Sequence, residues 1–481
     1  MSLIKNFAYN SALTVSTYIV NFIVFTVISR TLGVNNIGII SYVDNIINYF
    51  VLFASLGIST VGVREIASTH GDKEKCSRVF SQLLSFVILL VVISTIVYIV
   101  CVLTIPALRQ YDDYFFIGLG KLMLTPLMIE WLYAGNQDFK FISIRTIAIK
   151  VAYLLLVILF VNDSNDSIVY FALTAGSVVV NFIVNLFYAK KYVDVKYMCF
   201  DYKQFSIPII KLGVFAIITS MYSTFNYVYL GSVSTTVQVG LYYTAVRLYD
   251  VIMQLFRSYV TVAMPRMSEI VSNSDKDSFD RLVIKSFKAL FAYSIPVSVI
   301  FIILAPVVIR LIAGPGYEGA ISAMRIIMPI LIISGINQIN GIQVLMPLQK
   351  DNVLLITASI AAAVGIVSNL LLDRAYGANG AAITILVSEL AGCAGGLFYS
   401  IKHGLIKLPY SEIFRYFLSS IPYFLIYLVV SYAIKNIILL NCIVVFLFAI
   451  YFVVQQIYIC KNEVALMLLS RISAYASSKG N

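Results

Sequence analysis

The sequence predicts an all-α integral membrane protein with about 14 transmembrane helices. Three observations carry that prediction. First, 60% of the 481 residues are apolar and only 12% are charged, against about 45–50% and about 25% in soluble domains. Second, that apolar share is about 289 residues, and at roughly 20 per spanning helix it leaves room for about 14 crossings. Third, Lys and Arg collect in alternate connections between the apolar runs, as they do in multi-pass chains. Such a composition excludes a soluble enzyme, a nucleic-acid-binding protein, a disordered chain and a secreted disulfide scaffold.

The apolar runs place spans at 8–30, 37–58, 80–105, 114–134, 142–161, 166–189, 207–230, 237–260, 285–313, 320–348, 352–372, 377–401, 412–434 and 436–460. Each is read as a helix, because lipid leaves an open backbone unsatisfied. The first run, from Lys5 to Ile28, is too long for a signal-peptide core. It meets no small-x-small cleavage site before Arg30, so it reads as an uncleaved span. The six cysteines (Cys76, Cys101, Cys199, Cys393, Cys442 and Cys460) are scattered, form no CxxC pair and read as small apolar filler.

With the N-terminus in the cytoplasm, the inner loops hold 23 Lys and Arg and the outer loops five: Arg30, Arg109, Arg310, Arg374 and Lys435. That asymmetry predicts both termini inside and an even number of spans. The outer connections, such as 162–165 and 231–236, are short. The inner ones are longer and basic, and the segment 59–79 reads as a short amphipathic helix on the anionic inner leaflet or as a solvated loop.

An internal repeat is visible. Span 2 opens with Leu32-Gly33 and a helix-starting Gly38; span 8 opens with Leu230-Gly231 and Gly240. The offset of about 200 residues, or six spans, is a parallel repeat about an axis along the membrane normal. The predicted plan is an N-terminal lobe (1–189, spans 1–6), a cytoplasmic linker (190–206), a C-terminal lobe (207–401, spans 7–12), two extra spans (412–460) and a cytoplasmic tail (461–481).

Polar residues inside spans are expensive and face a cavity or another helix. Four spans carry them at helical spacing: Asn10, Thr14, Thr17 and Asn21; Ser41, Asp44 and Asn48; Thr219, Ser223 and Asn226; and Arg247, Asp250, Gln254 and Arg257. These are the first two helices of each lobe, and they read as the walls of one central cavity or as interhelical glue. Six cations lie within the spans (Lys121, Lys150, Lys211, Arg247, Arg257 and Arg325) against four acids (Asp44, Glu130, Asp250 and Glu389). Lys211 and Arg325, near span ends, can snorkel. A surplus of cations suits an anionic ligand, and the planar guanidinium suits phosphate. Among the 33 tyrosines, Tyr42 and Tyr243 lie near the outward ends of striped helices.

Pro126, Pro296, Pro329 and Pro422 fall inside spans, and span 10 adds Gly335, Asn337, Gln338, Asn340 and Gly341, a combination that predicts a bend or an unwound turn. The sequence has no GxxxxGK[ST] phosphate loop, and its two histidines, His70 and His403, sit in inner loops. No ATPase, metal centre or cofactor is expected.

The opening text NFAYNSALTVSTYIVNFIVFTVISRTLG, followed by GIISY and LFASLGISTVGVREIA, resembles the lipid-linked oligosaccharide flippases of bacterial capsule and O-antigen pathways. These form the polysaccharide transporter family of the multidrug/oligosaccharidyl-lipid/polysaccharide exporter superfamily. The resemblance is clearest over residues 1–90. It implies two six-helix lobes with two extra C-terminal helices, a place in the cytoplasmic membrane, and flipping of undecaprenyl-pyrophosphate-linked sugar repeat units, with a polysaccharide polymerase as a partner. On that reading Arg247, Arg257, Lys150, Lys121 and Arg325 hold the pyrophosphate or head group, the other polar residues line the cavity, and Asp44, Asp250 or Glu389 carries a coupling ion. Two relatives in the same superfamily stand as alternatives, a cation-coupled small-molecule exporter and a peptidoglycan-precursor flippase. The first calls for an acidic cavity; the second for an arginine cluster in span 1, which is absent here. A membrane-embedded polymerase or transferase calls for a sizeable outer loop or an acid/base constellation, and the outer connections are too short for the first.

Overall fold

The computed structural model describes residues 3–197, 201 and 203–462, except for the side chains of 3–8, 10, 11, 195, 215, 219 and 221–223. Cys199 lies outside the described residues. Among them there is no strand, and the helices run in order α1 (Leu3–Ser55), α2 (Ile58–Ala67), α3 (Lys73–Thr104), α4 (Pro106–Arg109), α5 (Asp112–Leu124), α6 (Glu130–Gly135), α7 (Phe139–Phe160), α8 (Ser167–Ala189), α9 (Lys203–Val233), α10 (Thr236–Ser272), α11 (Lys276–Ile312), α12 (Ala320–Ile327), α13 (Ile330–Gln338), α14 (Asp351–Tyr376), α15 (Ala378–Lys402), α16 (Tyr410–Ala433) and α17 (Ile437–Val454). Eleven helical segments of the described residues are long and apolar enough to cross a bilayer. One of them, Ala12–Ala67, has 56 residues, about 84 Å at 1.5 Å per residue and enough for two crossings of a core about 30 Å thick.

The breaks have local causes. The long first segment is two helices that meet at Gly33 (φ 76°, ψ 168°), a backbone conformation open to glycine and closed to residues with a Cβ. Pro126 ends α5 in a tight turn, and Ile129 at φ 48° redirects the chain into α6, because proline cannot donate to the preceding turn. In the predicted span 10, helix gives way at Pro329 between α12 and α13, and Ile339–Leu345 widens into a π-turn. Asp72 caps α3, its carboxylate accepting from Glu74 N (3.0 Å) and Lys75 N (3.2 Å).

The chain forms two compact units. The first comprises Met1–Thr244, Ile312–Tyr317 and Gly365–Thr384. In it α1 packs against α3, α5, α7 and α9, and α2 packs against α6. The 59–79 segment is indeed a helix at its start, but the apolar face of α2 (Ile58, Val61, Ile66) is buried. It lies on protein, not on lipid: a Cβ on Gly62 would stand 2.7 Å from the Trp131 ring.

The second unit comprises Ala245–Leu311, Glu318–Val364 and the chain from Ile385 onward. The C-terminal pair α16–α17 joins α11 through Ile303, Leu304, Tyr423, Val430, Val444 and Phe448. Tyr423 is fully buried, meets the Phe448 ring edge-on at 5.1 Å, and donates its hydroxyl to Gln455 Oε1 (2.9 Å). Elsewhere large apolar side chains face outward, as lipid permits: Phe116 is 80% exposed and Tyr432 92%.

Candidate functional site

The polar residues of the first unit are drawn together in pairs. The Lys121 ammonium donates to the Asp44 carboxylate and also lies over the Phe171 ring, 5.4 Å from its centroid. One residue assigned to the ligand thus meets one assigned to the ion. Lys150 donates to Asn21 Oδ1 (3.2 Å), joining span 5 to the stripe of span 1. Thr14, Thr17 and Asn48 are partly buried, and Ser41 is buried. The side chains of Asn10, Thr219 and Ser223 lie outside the described residues. Tyr42 is buried and packs edge-on to Tyr111, and Tyr243 packs edge-on to Phe25.

Two buried clusters in this unit escaped the sequence reading. Arg145, assigned there to an inner loop, is 5% exposed and donates to Glu130, to Asn185 Oδ1 and to Thr146 Oγ1. A guanidinium so placed needs partners for its fork; these take up Nη1 and Nη2, while Nε meets no acceptor among the described residues. The second cluster centres on Asp373. Asn369 Nδ2 donates to Asn226 Oδ1 (2.6 Å), and Asn226 Nδ2 donates to the Tyr242 hydroxyl (3.0 Å). Asp373 lies one turn beyond Asn369 and is fully buried. Neither of its carboxylate oxygens, nor Asn369 Oδ1, meets a donor among the described residues. Gly380 packs on the Leu372–Asp373 backbone, where a Cβ would lie 2.5 Å from the Leu372 carbonyl. The buried Thr384 sits one turn further along that face. Buried oxygens without donors are costly, and a proton or a small cation removes the cost. The available signal was the Asn369–Asp373 spacing; ending span 11 at 372 left Asp373 in a loop.

The second unit holds the charged stripe of α10. Arg257 Nη1 stands 3.4 Å from Asp250 Oδ1, with both side chains about one-third exposed. Arg247 also lies within electrostatic reach of Asp250, and Arg257 within reach of Glu389. Glu389 on α15 accepts from Asn337 Nδ2 on α13 (2.9 Å). Gln254 is partly buried between the two arginines of the stripe. Arg325 is exposed and donates to the Ile302 carbonyl of α11 (3.2 Å), and Lys211 of the first unit is exposed. The arrangement offers guanidinium donors next to carboxylates, suited to binding and exchanging an anion. Among the described residues no group of three His, Cys, Asp or Glu could hold a metal ion.

Residues 3–271, more than half of the chain, match the family described as "Polysaccharide biosynthesis protein". The chain belongs to this polysaccharide biosynthesis family. A curated relative of this family member is the Escherichia coli (strain K12) protein named "Putative O-antigen transporter". It is 25% identical over 399 residues, which cover 81% of this chain and 94% of the relative. Among solved structures, "Lipid II flippase MurJ, inward closed conformation" has a TM-score of 0.74 at 16% identity, over 94% of this chain and 98% of that one. A multidrug resistance MATE family transporter in an inward-facing conformation has a TM-score of 0.63 at 15% identity, over 80% and 94%. At such identities the likeness shows the fold: a multi-pass, all-α transporter architecture shared by these structures.

Proposed function

We propose that this protein flips undecaprenyl-pyrophosphate-linked oligosaccharide repeat units across the bacterial cytoplasmic membrane by alternating access, for surface polysaccharide synthesis. The family match over residues 3–271 carries the reading, and the O-antigen transporter relative supports it. In this reading Ala12–Ala67 crosses twice, and α9 and α10, 31 and 37 residues long, cross despite their polar stripes. With the other ten segments of the described residues that makes 14 crossings in two six-helix lobes and a C-terminal pair, with both termini in the cytoplasm. The head group is handed to a polysaccharide polymerase on the outer face.

Arg247 and Arg257 are the proposed pyrophosphate ligands. A diphosphate takes over the guanidinium donors that Asp250 engages in its absence, an exchange of one charge-assisted partner for another. Lys150, Lys121 and Arg325 are assigned to the sugar-phosphate path. Coupling is assigned first to Asp373, whose buried carboxylate calls for a proton or a small cation, and then to Asp44, Asp250 and Glu389, each of which has a polar partner. Arg247→Gln and Arg257→Gln, expressed in a flippase-null strain, test the reading. Each is expected to lower surface polysaccharide roughly tenfold, the worth of one charged hydrogen bond, with repeat units accumulating on the inner leaflet. Full complementation by both would overturn the site; accumulation on the outer leaflet would overturn flipping itself.

A further inference from the structure

In the second unit α11, α16 and the turn after α17 line a half-open pocket of about 620 Å³. Among the described residues five cations line it: Arg281, Lys285 and Lys288 on α11, Arg415 on α16, and Lys461 past the π-turn Gln455–Ile459; Glu412 is the one acid among the described lining residues. Arg281, Lys285 and Lys288 follow at helical spacing and form one face. Like charges one turn apart repel, so this face gains stability from a bound anion. Glu412 supplies only part of one, standing 4.0 Å from Lys288 and 3.4 Å from Arg415.

The pocket is built into the unit's framework. Arg415 Nη1 donates to the Cys460 carbonyl (3.1 Å), one of the carbonyls released where the π-turn ends. Gln456 Nε2 donates to the Ala292 carbonyl of α11 (2.9 Å), and Asn462 Nδ2 donates to the Tyr416 hydroxyl (3.2 Å). These bonds hold the last turn of the C-terminal pair against α11 and α16, so the backbone that carries the cations is held in place before a ligand arrives. Beside the pocket the outer faces of α16 and the π-turn are apolar, with Phe414 65%, Phe417 61% and Tyr458 71% exposed. A concave cationic end next to an exposed apolar wall matches an amphiphile with a phosphate head.

We infer that this pocket binds the phosphate of an anionic glycerophospholipid, with the acyl chains along the outer faces of α16 and α17. Basic pockets between spanning helices take anionic head groups in this way. The lining residues all follow residue 271, outside the family match, and none belongs to the proposed transport path. The bound lipid ties α11 to the C-terminal pair and acts as a structural or regulatory ligand, not as cargo.

The test uses the purified full-length protein in detergent and reads the melting temperature during titration. The probes are dioctanoyl phosphatidylglycerol, dioctanoyl phosphatidylcholine, glycerol 3-phosphate and inorganic phosphate. Phosphatidylglycerol is expected to give a saturable rise that phosphatidylcholine does not. Lys285→Gln combined with Lys461→Gln should weaken its apparent affinity about thirtyfold, on the usual contribution of a basic side chain near anionic lipid. Glu412→Gln should strengthen it, an outcome that misfolding cannot imitate. Equal responses to both lipids, or an unchanged affinity in the double variant, would overturn the inference. Saturation by glycerol 3-phosphate or inorganic phosphate, with no further rise from phosphatidylglycerol, would overturn the lipid as the source of the phosphate.

Discussion

At the residue scale, Asp373 and the facing glycines Gly38 and Gly240 carry the sharpest expectations. A buried carboxylate without donors destabilises the fold when ionised, while Asn keeps its shape and removes the charge. Asp373→Asn is therefore expected to leave the melting temperature unchanged or raised, yet to abolish surface polysaccharide in a flippase-null strain. A purely structural role predicts the reverse, lower stability with transport retained at the surviving protein level. Gly38 and Gly240, which the sequence reads as corresponding positions of a repeat, pack on each other's helix. A Cβ on Gly38 would stand 1.7 Å from the Thr236 carbonyl, and one on Gly240 2.1 Å from that of Val34. Thr236 Oγ1 donates to Asn35 Oδ1 across the same crossing (2.5 Å). Small residues let helices approach this closely in lipid. Gly240→Ala should cost about 1–3 kcal/mol of the state in which the crossing is closed, seen as slower disulfide formation, under an added oxidant, between cysteines introduced at Asn35 and Thr236.

At the scale of elements, most helix boundaries were legible because lipid permits one answer: an apolar run bounded by polar turns is a helix. The bend at Pro329 was legible from its combination with Gly335, Asn337, Asn340 and Gly341; proline alone was no signal, since Pro296 and Pro422 lie inside continuous helices. What escaped was pairing between elements. Nothing in the local text around Arg145 points to Glu130 or Asn185, 15 and 40 residues away, and only packing brings them together. The open end of the α7–α8 hairpin, where the start of α7 meets the end of α8, shows how such pairing stabilises it. Asp138 caps α7 through Phe141 N (3.3 Å) and accepts from the Tyr188 hydroxyl (2.8 Å), the Tyr192 hydroxyl (2.7 Å) and Lys191 Nζ (2.9 Å). Burial alone would raise this carboxyl's pKa, but the hydrogen bonds from Tyr192, Lys191, Tyr188 and Phe141 outweigh it and hold the group at about 2. The Tyr188 and Tyr192 hydroxyls, with Asp138, hold the Lys191 ammonium above its ordinary value. A depressed carboxylate contributes stability above its unfolded pKa, about 4, and loses it as pH falls towards 2. Asp138→Asn should lower the melting temperature at pH 7, by roughly 1–3 kcal/mol in stability, with the gap from the parent protein narrowing as pH falls below about 4.

At the scale of the whole molecule, charge distribution was the most legible feature and the site the least. Loop basicity depends only on which side of the membrane a segment lies, so it survives ignorance of packing. The site depends on which helices meet, and the sequence weighed Lys121 and Asp44 separately where the fold joins them. The orientation drawn from the loops has a direct consequence. The chain carries 23 of its 34 Lys and Arg in connections assigned inside and five in those assigned outside. Alternation of this kind persists through the last loop only if every crossing is counted, because one missed helix would exchange the two sides from that point onward. Alkaline phosphatase fused after Asp163, in the short connection between α7 and α8, is expected to be active, since the enzyme folds only outside the cytoplasm. Fused after Ser274, between α10 and α11, it should be inactive, while a fluorescent protein at that position should mature. Activity at both positions, or at neither, would mean an even number of crossings between them in place of the three that α8, α9 and α10 supply. The two-lobed parallel repeat would then fail with the orientation, because one crossing gained or lost there makes the six-span offset odd and points corresponding helices in opposite directions.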